Sequence, residues 1–437
     1  MSEPASHSPP TRADQPWVKL RSAAFATFIY KRMIGEVSPD ARPGDCVAVY
    51  DKHGALFGHG LYNPRSLITL RMLNFDQTPI DQSFWRRAID RALTLRTKVL
   101  RLNDSTNACR LIHAEGDDLS GLIVDRYADT LSIEIFSLGI WRQIPELLPI
   151  LHQSAGTQHH LVCFDERAQR QEEFDKLVQE PLAPESLVRE SLARESLVRE
   201  SLVRESLVRE SLLAPTIRSP AMPNAVNIAE NGVRFRVEFA AGHKTGFFCD
   251  QRDNRRRLAS FARDADVLDA CCYSGGFGIC AKVLGGANNV TCVDLDEEAV
   301  EMARRNANLN QVRINTVHAD AFAYMRQMQT NGTKYEIVVL DPPKLIFGRN
   351  DMGEGRNKYF DLNRLAASLV KPGGLLLTCS CSGALGRDDF VSLVVGAARI
   401  AGRQSQILDV TGAAPDHPVS PRCPESAYLK AAWLRLL

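Results

Sequence analysis

The sequence predicts an α/β protein built on a doubly wound, mainly parallel sheet, with a smaller strand-rich module ahead of it. Three observations carry this. From Val226 onward, apolar runs (Asp266 to Asp269, Val290 to Asp294, Tyr335 to Leu340, Leu375 to Thr378) alternate with helix-length segments. From Val18 to about Leu73, short strands are separated by turn residues instead. Finally, Asp341-Pro342-Pro343-Lys344 and Thr378-Cys379-Ser380-Cys381-Ser382-Gly383 each follow a run with the length and branching of a buried strand. In an open parallel sheet such strand ends face the ligand crevice, so a carboxylate and a thiol are expected to meet there.

The elements follow in order. Residues 1–16 read as a polar, disordered tail. In 17–80, Cys46 to Tyr50 and Leu56 to Gly60 flank Asp51-Lys52-His53-Gly54 as a hairpin, and Ser66 to Leu73 is a further strand of a small β-barrel. In 81–183, Phe84 to about Leu102 is a basic amphipathic helix, followed by strands at Cys109 to His113, Gly121 to Asp125 and Thr130 to Ile135. Residues 184–213 carry five copies of Glu-Ser-Leu-Val-Arg, one of them with Ala193. A period of five advances about 140° per unit around a helix, so its leucines build no single apolar face. The segment is expected to be a charge-laced helix or a flexible tether. In 214–437, Asn231-Gly232 turns a hairpin before the alternating α/β pattern begins.

At 437 residues, 44% hydrophobic and 24% charged, the chain has the composition of a globular protein of two or three domains. A net charge of +1 confines any nucleic-acid binding to local patches. Arg252 with Arg255-Arg256-Arg257 is one candidate patch, whereas Arg304-Arg305 reads as a solvated helix face. The eleven cysteines show neither a disulfide framework nor zinc-ligand spacing, which points to free thiols in a reducing cytosol and to no metal. With no secretory or membrane-length apolar segment, the chain is expected to be cytoplasmic, with no membrane partner.

Chemistry concentrates after Val226. The stretch Asp269 to Gly278 ends a strand, turns through glycines and enters a helix, so a ligand can approach the backbone. Asp294, ending the next strand, is placed to accept ribose hydroxyls. The loop lacks the glycine spacing that holds a pyrophosphate, and it opens with an acid. That suits a cationic, phosphate-free ligand such as S-adenosylmethionine. Asp320 either meets the adenine edge or caps the following helix. Cys381 and Asp341 suit a chemistry in which a thiolate adds to a pyrimidine ring held by an acid.

With these residues in view, the chain from about Val18 onward resembles the ribosomal RNA large-subunit methyltransferase I family. The matching segments are Gly60 to Ser66, Glu115 to Tyr127, Lys244 to Arg252, Tyr273 to Phe277, Asp341 to Lys344, Ser380 to Gly383, Asp416-His417-Pro418 and Tyr428-Leu429-Lys430. The resemblance implies a class I methyltransferase domain preceded by a PUA-type RNA-binding barrel and a small central α/β domain. It implies methylation of carbon 5 of a cytosine in 23S rRNA, with Cys381 as nucleophile and Asp341 holding the ring. Cofactor contacts are expected from Asp269, Tyr273, Ser274, Gly275, Gly276, Phe277, Asp294 and Asp320, with Lys244, Thr245, Phe247 and Gln251 from the preceding segment. Pro342 and Lys344 are expected on the substrate side. Ribosomal RNA is the expected partner, and a homodimer is one assembly left open. Cys379 and Cys381 are expected to point to opposite faces of their strand, with Cys379 in the core. Uracil-5 methylation, exocyclic-amine methylation and a non-catalytic RNA-binding protein are the alternative readings. His417 is either a substrate-side or a structural histidine.

Overall fold

The computed structural model describes residues 15–22, 25–174, 215–239 and 246–437. Most of the polar tail, the pentapeptide repeat, Lys244 and Thr245 lie outside these residues. The chain divides into two compact units. The first comprises Met1–Leu100, Arg110–Pro223 and Pro418–Cys423; the second comprises Arg101–Cys109, Asn224–His417 and Pro424–Leu437.

The first unit opens with six strands: β1 (Trp17–Leu20), β2 (Phe28–Ile29), β3 (Ile34–Val37), β4 (Asp45–Tyr50), β5 (Leu56–Tyr62) and β6 (Leu70–Asn74), in the order β2-β6-β5-β4-β1-β3. Strand alternation places Val18, Leu20, Val47, Val49, Leu70 and Met72 in one core. The β4–β5 hairpin forms as expected, its turn built by Asp51 accepting from the amides of His53 and Ala55 at 2.9 Å each. The next strand starts four residues later than expected, because Asn63, Ser66 and Thr69 close a turn first.

After it come α1 (Gln82–Thr94), β7 (Ala108–His113), β8 (Leu122–Tyr127), β9 (Thr130–Ile135), α2 (Leu138–Ala155), β10 (His159–Phe164), α3 (Glu166–Glu172) and β11 (Thr216–Arg218). The strands form one sheet, ordered β11-β10-β9-β8-β7. Asp81 caps α1 through the amide of Phe84 at 2.8 Å. The helix ends before Leu102, passing into a wider turn over Leu95–Val99 in which buried Arg96 pairs with Asp117 at 2.6 and 2.9 Å.

The second unit begins with the hairpin β12 (Ala225–Glu230) and β13 (Val233–Glu238). Asn231 (φ 51°) and Gly232 (φ 85°) supply the two left-handed residues of its turn. Then follow α4 (Arg252–Ala259), β14 (Asp266–Ala270), α5 (Gly276–Val283), β15 (Asn289–Asp294), α6 (Glu297–Leu309), β16 (Asn315–His318), α7 (Ala321–Thr330), β17 (Tyr335–Leu340), α8 (Met352–Leu369), β18 (Val370–Ser380), α9 (Arg387–Ile400), β19 (Ser405–Thr411) and β20 (Lys430–Leu436). The sheet order is β16-β15-β14-β17-β18-β20-β19, with the first five strands parallel and β20 antiparallel to both its neighbours. Along β17 and β18 the side chains divide by parity. Val338, Leu340 and Leu376 enter one core, while Ile337, Val339, Leu375, Leu377 and Cys379 enter the other. Burial on both faces is why these strands read as unbroken apolar runs rather than as alternation.

Candidate active site

The loop after β14 is held in an unfavourable backbone conformation. Cys271 (φ 62°) and Tyr273 (φ 48°) are both left-handed, a region that costs a side-chain-bearing residue about 1–3 kcal/mol. Hydrogen bonds fix it there: Cys272 N to Val293 O at 3.0 Å, Tyr273 N to Asp294 Oδ2 at 2.8 Å and Gly275 N to Cys272 O at 2.9 Å. Ser274 is buried, and its carbonyl accepts from Asn306 Nδ2 at 3.1 Å. The glycines are there for close packing. A Cβ on Gly275 would lie 3.0 Å from Ala303 Cβ, and one on Gly276 would lie 3.1 Å from Arg255 Cδ. Phe277 is buried in the core beneath the loop.

Asp269 lies under this loop and is 1% exposed. Its Oδ2 accepts from Gly278 N at 2.8 Å, while Oδ1 has no partner. Burial pushes its carboxyl up to about 7. Asp294 binds backbone through both oxygens, Oδ1 accepting from Asp296 N at 3.0 Å, and retains lone pairs for ribose hydroxyls. Asp320 is a helix cap, accepting from Ala323 N at 2.9 Å, so the capping alternative is realised. An orphaned buried carboxylate oxygen, a tight glycine turn and a ribose-competent acid fit S-adenosylmethionine, whose positive charge would draw Asp269 into its ionised form.

Phe247 is 2% exposed, packs on Phe235 and lies beneath Arg255, whose guanidinium carbon is 4.5 Å from the ring centroid. Phe248 is the aromatic turned to the loop, its ring 5.2 Å from that of Tyr273. Gln251, expected at the cofactor, instead donates from Nε2 to Asp341 Oδ2 at 3.0 Å. That bond ends a directed chain. Trp433 Nε1 donates to Thr411 Oγ1 (2.9 Å), Thr411 to Asn254 Oδ1 (2.7 Å), and Asn254 Nδ2 to Gln251 Oε1 (2.6 Å). Asn254 Nδ2 also donates to the Gly412 carbonyl at 3.2 Å, which orients that amide; Thr411 must then donate to its Oδ1, Gln251 must accept through Oε1, and Asp341 Oδ2 is the accepting end. Burial, together with the charge of Asp250, pushes the Asp341 carboxyl up to about 7.

Asp341 and Cys381 leave adjacent parallel strands whose last pairs, Leu340 with Thr378, are in register. The expected alternation does not separate the two thiols. Residues i and i+2 share a strand face, so Cys381 would follow Cys379 into the core if the strand continued. It does not: β18 stops at Ser380, leaving Cys379 fully buried and Cys381 half-buried on the turn. The serines on either side hold that turn. Ser380 Oγ donates to Tyr359 Oη at 3.0 Å, Tyr359 Oη lies 3.1 Å from Ser382 Oγ, and Ile346 N donates to Ser382 Oγ at 3.2 Å. Burial raises the Cys379 thiol well above its ordinary value, so it stays protonated. Pro342 is buried, and the half-buried Lys344 places Nζ 5.8 Å from the centroid of Phe347.

Three residues with no role assigned from the sequence belong here. Asp250 is 9% exposed, accepts from Tyr428 Oη at 2.6 Å through Oδ2, and has Oδ1 unpartnered. Tyr428 and Lys430 enter with the C-terminal strand. Elsewhere, Arg252 and Arg255 are not a surface patch. Both are buried, Arg252 on Asp416 (3.0 and 2.8 Å) and Arg255 on Glu230 (2.8 Å twice), and Arg256 alone of the four is exposed. His417, buried beside Asp416 at 3.1 Å, belongs to the same structural network. Arg304 and Arg305 pair with Glu301 on an exposed helix face, as expected.

Comparison with known proteins gives the site a context. A family model described as S-adenosylmethionine-dependent methyltransferase matches residues 214–434, and a PUA-like domain model matches residues 23–75. A curated protein of Vibrio cholerae, ribosomal RNA large subunit methyltransferase I, is 32% identical over 415 residues, covering 94% of this chain and 95% of its own. Its namesake in Shewanella frigidimarina is 35% identical over 400 residues, covering 90% of each. Among solved structures, a methyltransferase in complex with SAH aligns with a TM-score of 0.73 at 18% identity over 94% of this chain and 95% of its own. An S-adenosylmethionine-dependent methyltransferase from Streptococcus mutans also reaches 0.73, at 17% identity, covering 96% of this chain and all of the other.

Proposed function

The chain belongs to the ribosomal RNA large subunit methyltransferase I family, and from that premise we propose that it methylates carbon 5 of a cytosine in large-subunit rRNA through a covalent adduct at Cys381. The coarser activity, S-adenosylmethionine-dependent methylation of large-subunit rRNA, is that of the family. The observation that carries the finer reading is that Cys381 and Asp341, whose carboxyl burial pushes up to about 7, follow the ends of adjacent parallel strands held in register.

Carbon 5 of cytosine is a poor nucleophile until a thiolate adds to carbon 6. On addition, the Cys381 Sγ–C6 bond forms and electron density moves toward N3. With Oδ2 of Asp341 accepting from Gln251, Oδ1 is the oxygen left to carry a proton to N3. Cytosine N3 is an acceptor, whereas uracil N3–H is a donor, so a protonated acid here favours cytosine. Lys344 and the Pro342-Pro343 backbone would face the ring's other edge. After methylation the carbon 5 proton leaves to a water acting as base, the Sγ–C6 bond breaks to return the thiolate, and N3 gives its proton back to Asp341. Asp269, Tyr273, Ser274, Gly275, Gly276, Asp294 and Phe248 would hold the cofactor, while Asp320 caps its helix. When bound, S-adenosylmethionine supplies the electrophilic methyl group. The target base must leave its stack to reach this crevice.

The first unit's barrel, residues 17–80, would grip the RNA. An exposed aromatic supports this: Phe25 is 70% exposed and lies 5.2 and 5.6 Å from Phe57 and Phe75, which pack partly buried on the barrel core, while Arg422 stacks on Phe75 at 4.5 Å. Residues 81–183 would form the central domain, and 184–213 a tether.

The test uses RNA from cells lacking the protein, labelled S-adenosylmethionine and digestion to nucleosides. Labelled 5-methylcytidine in large-subunit rRNA, absent with Cys381→Ala, is the expected result. Label in another nucleoside, or label that survives Cys381→Ala, would overturn the reading.

A further inference from the structure

Lys430 opens β20 directly opposite Ser380, at the point where β18 gives way to the Cys381 turn. It is a buried lysine, 5% exposed. Its Nζ donates to Ser382 O at 2.6 Å and to Tyr428 O at 2.9 Å, both backbone carbonyls of the site. Among the described residues no carboxylate forms an ion pair with it. An ammonium removed from water without a counter-ion is costly, and it either sheds its proton or finds an anion. Burial does lower its pKa to about 8; Cys381 opposes that shift and Lys344 reinforces it. An ammonium has three N–H donors, and two are spent on carbonyls. The third remains, and the Cys381 thiol, on the turn that carries Ser382, is the group whose charge favours the ammonium.

We propose that Lys430 is the positioning residue that holds Cys381 as a thiolate, pairing its ammonium with Sγ and fixing the Ser382 turn at the same time. In the activating step the S–H bond breaks and Nζ, when neutral, takes the proton; the resulting pair is the ground state of the site. The same cation stabilises the thiolate when it leaves the adduct. The other groups facing this turn do not compete for the role. The Tyr359 phenol on α8 is raised by burial and stays neutral, and Cys379 stays a thiol. Lys344 adds positive charge from the loop after β17, whereas the Asp341 and Asp250 carboxyls bear on Cys379.

This rests on Cys381 being the reactive thiol, but its test needs neither RNA nor turnover. Alkylation of the full-length protein by iodoacetamide is followed from pH 5.5 to 9.5, with the Cys381 peptide quantified by mass spectrometry. In the unsubstituted protein, the apparent thiol pKa is expected below the ordinary value of about 8.5; a value at or above it overturns the proposal without any variant. In Lys430→Met the rate at pH 7 should fall about tenfold, while Lys430→Arg should restore it to within about threefold. Calorimetric S-adenosylmethionine binding confirms that each variant is folded, and an unchanged profile in folded Lys430→Met overturns the role. Methyl label that survives Cys381→Ala while alkylation still depends on Lys430 would sink the cytosine reading and leave this inference standing.

Discussion

Asp341 and Asp269 are carboxyls whose folded-state pKa, about 7, lies well above the ordinary value near 4. For such a group the linkage has a definite sign. Below about 4 both folded and unfolded forms are protonated, and nothing is lost. As pH rises toward 7 the unfolded form ionises first, and stability falls across that window. Asp341→Asn and Asp269→Asn should therefore raise the melting temperature more at pH 8 than at pH 4, as thermal scans at the two pH values would show. An equal shift at both would mean that neither carboxyl is held protonated. The same substitution at Asp341 removes the proton intended for N3. Turnover should drop by about 10²–10⁴-fold and lose its falling limb near pH 7. Asp341 and Cys381 were legible because each follows an apolar run in a short local motif. Asp250 and Lys430 were not. Lys430 lies 48 residues from Ser382 and reaches it only because β20 inserts antiparallel beside β18, a pairing that no local spacing encodes.

At the scale of elements, α4 and α5 show how far a sequence reading of charge and glycine reaches. The arginine run of α4 looked like a surface patch, since a sequence displays charge without displaying burial. Arg255→Ala would strip buried Glu230 of its bidentate partner and leave it only Arg252 Nε at 3.6 Å, a loss of about 3 kcal/mol. Arg256, its exposed neighbour, should cost under about 0.5 kcal/mol on the same substitution. Denaturant unfolding of the two variants separates a structural arginine from a surface one with identical formal charge. In α5, a Cβ on Gly278 would lie 2.6 Å from Cys292 Sγ and 2.9 Å from Val290 Cγ1. Gly278→Ala should push the helix start off β15 and disturb the amide held by Asp269. The expected cost is about 1–3 kcal/mol with weaker S-adenosylmethionine binding by calorimetry. Unchanged cofactor affinity would detach Asp269 and this helix start from the pocket. The hairpins at Asp51 and Asn231 were readable because turn chemistry is local. The long helix α2 was not anticipated; it contains Pro145 and Pro149, which break the usual helical signal while Trp141, Ile144, Leu147 and Leu151 still bury one face.

For the whole molecule, the architecture was readable from the alternation of buried strands and helix-length segments, but the sheet edge was not. β20 inserts antiparallel between β18 and the edge strand β19, a topology that depends on long-range pairing. The pentapeptide repeat is the remaining question of scale. Its two flanks converge within the first unit: the Phe174 ring packs 5.1 Å from that of Phe164, and Phe164 N donates to Pro215 O at 2.8 Å. The segment between them thus leaves and returns at one residue, and its length sets no distance that the fold requires. Removing residues 185–209 would leave 15 residues between these anchors, enough to span roughly 50 Å when extended. Shortening the closed loop from 40 residues to 15 should favour the folded state by about 1 kcal/mol of closure entropy. The deletion should therefore keep the melting temperature at or slightly above that of the full chain and leave turnover on rRNA largely intact. A large fall in turnover with the melting temperature preserved would show that the repeat contributes to substrate engagement. Its alternating Glu and Arg would then be the place to look.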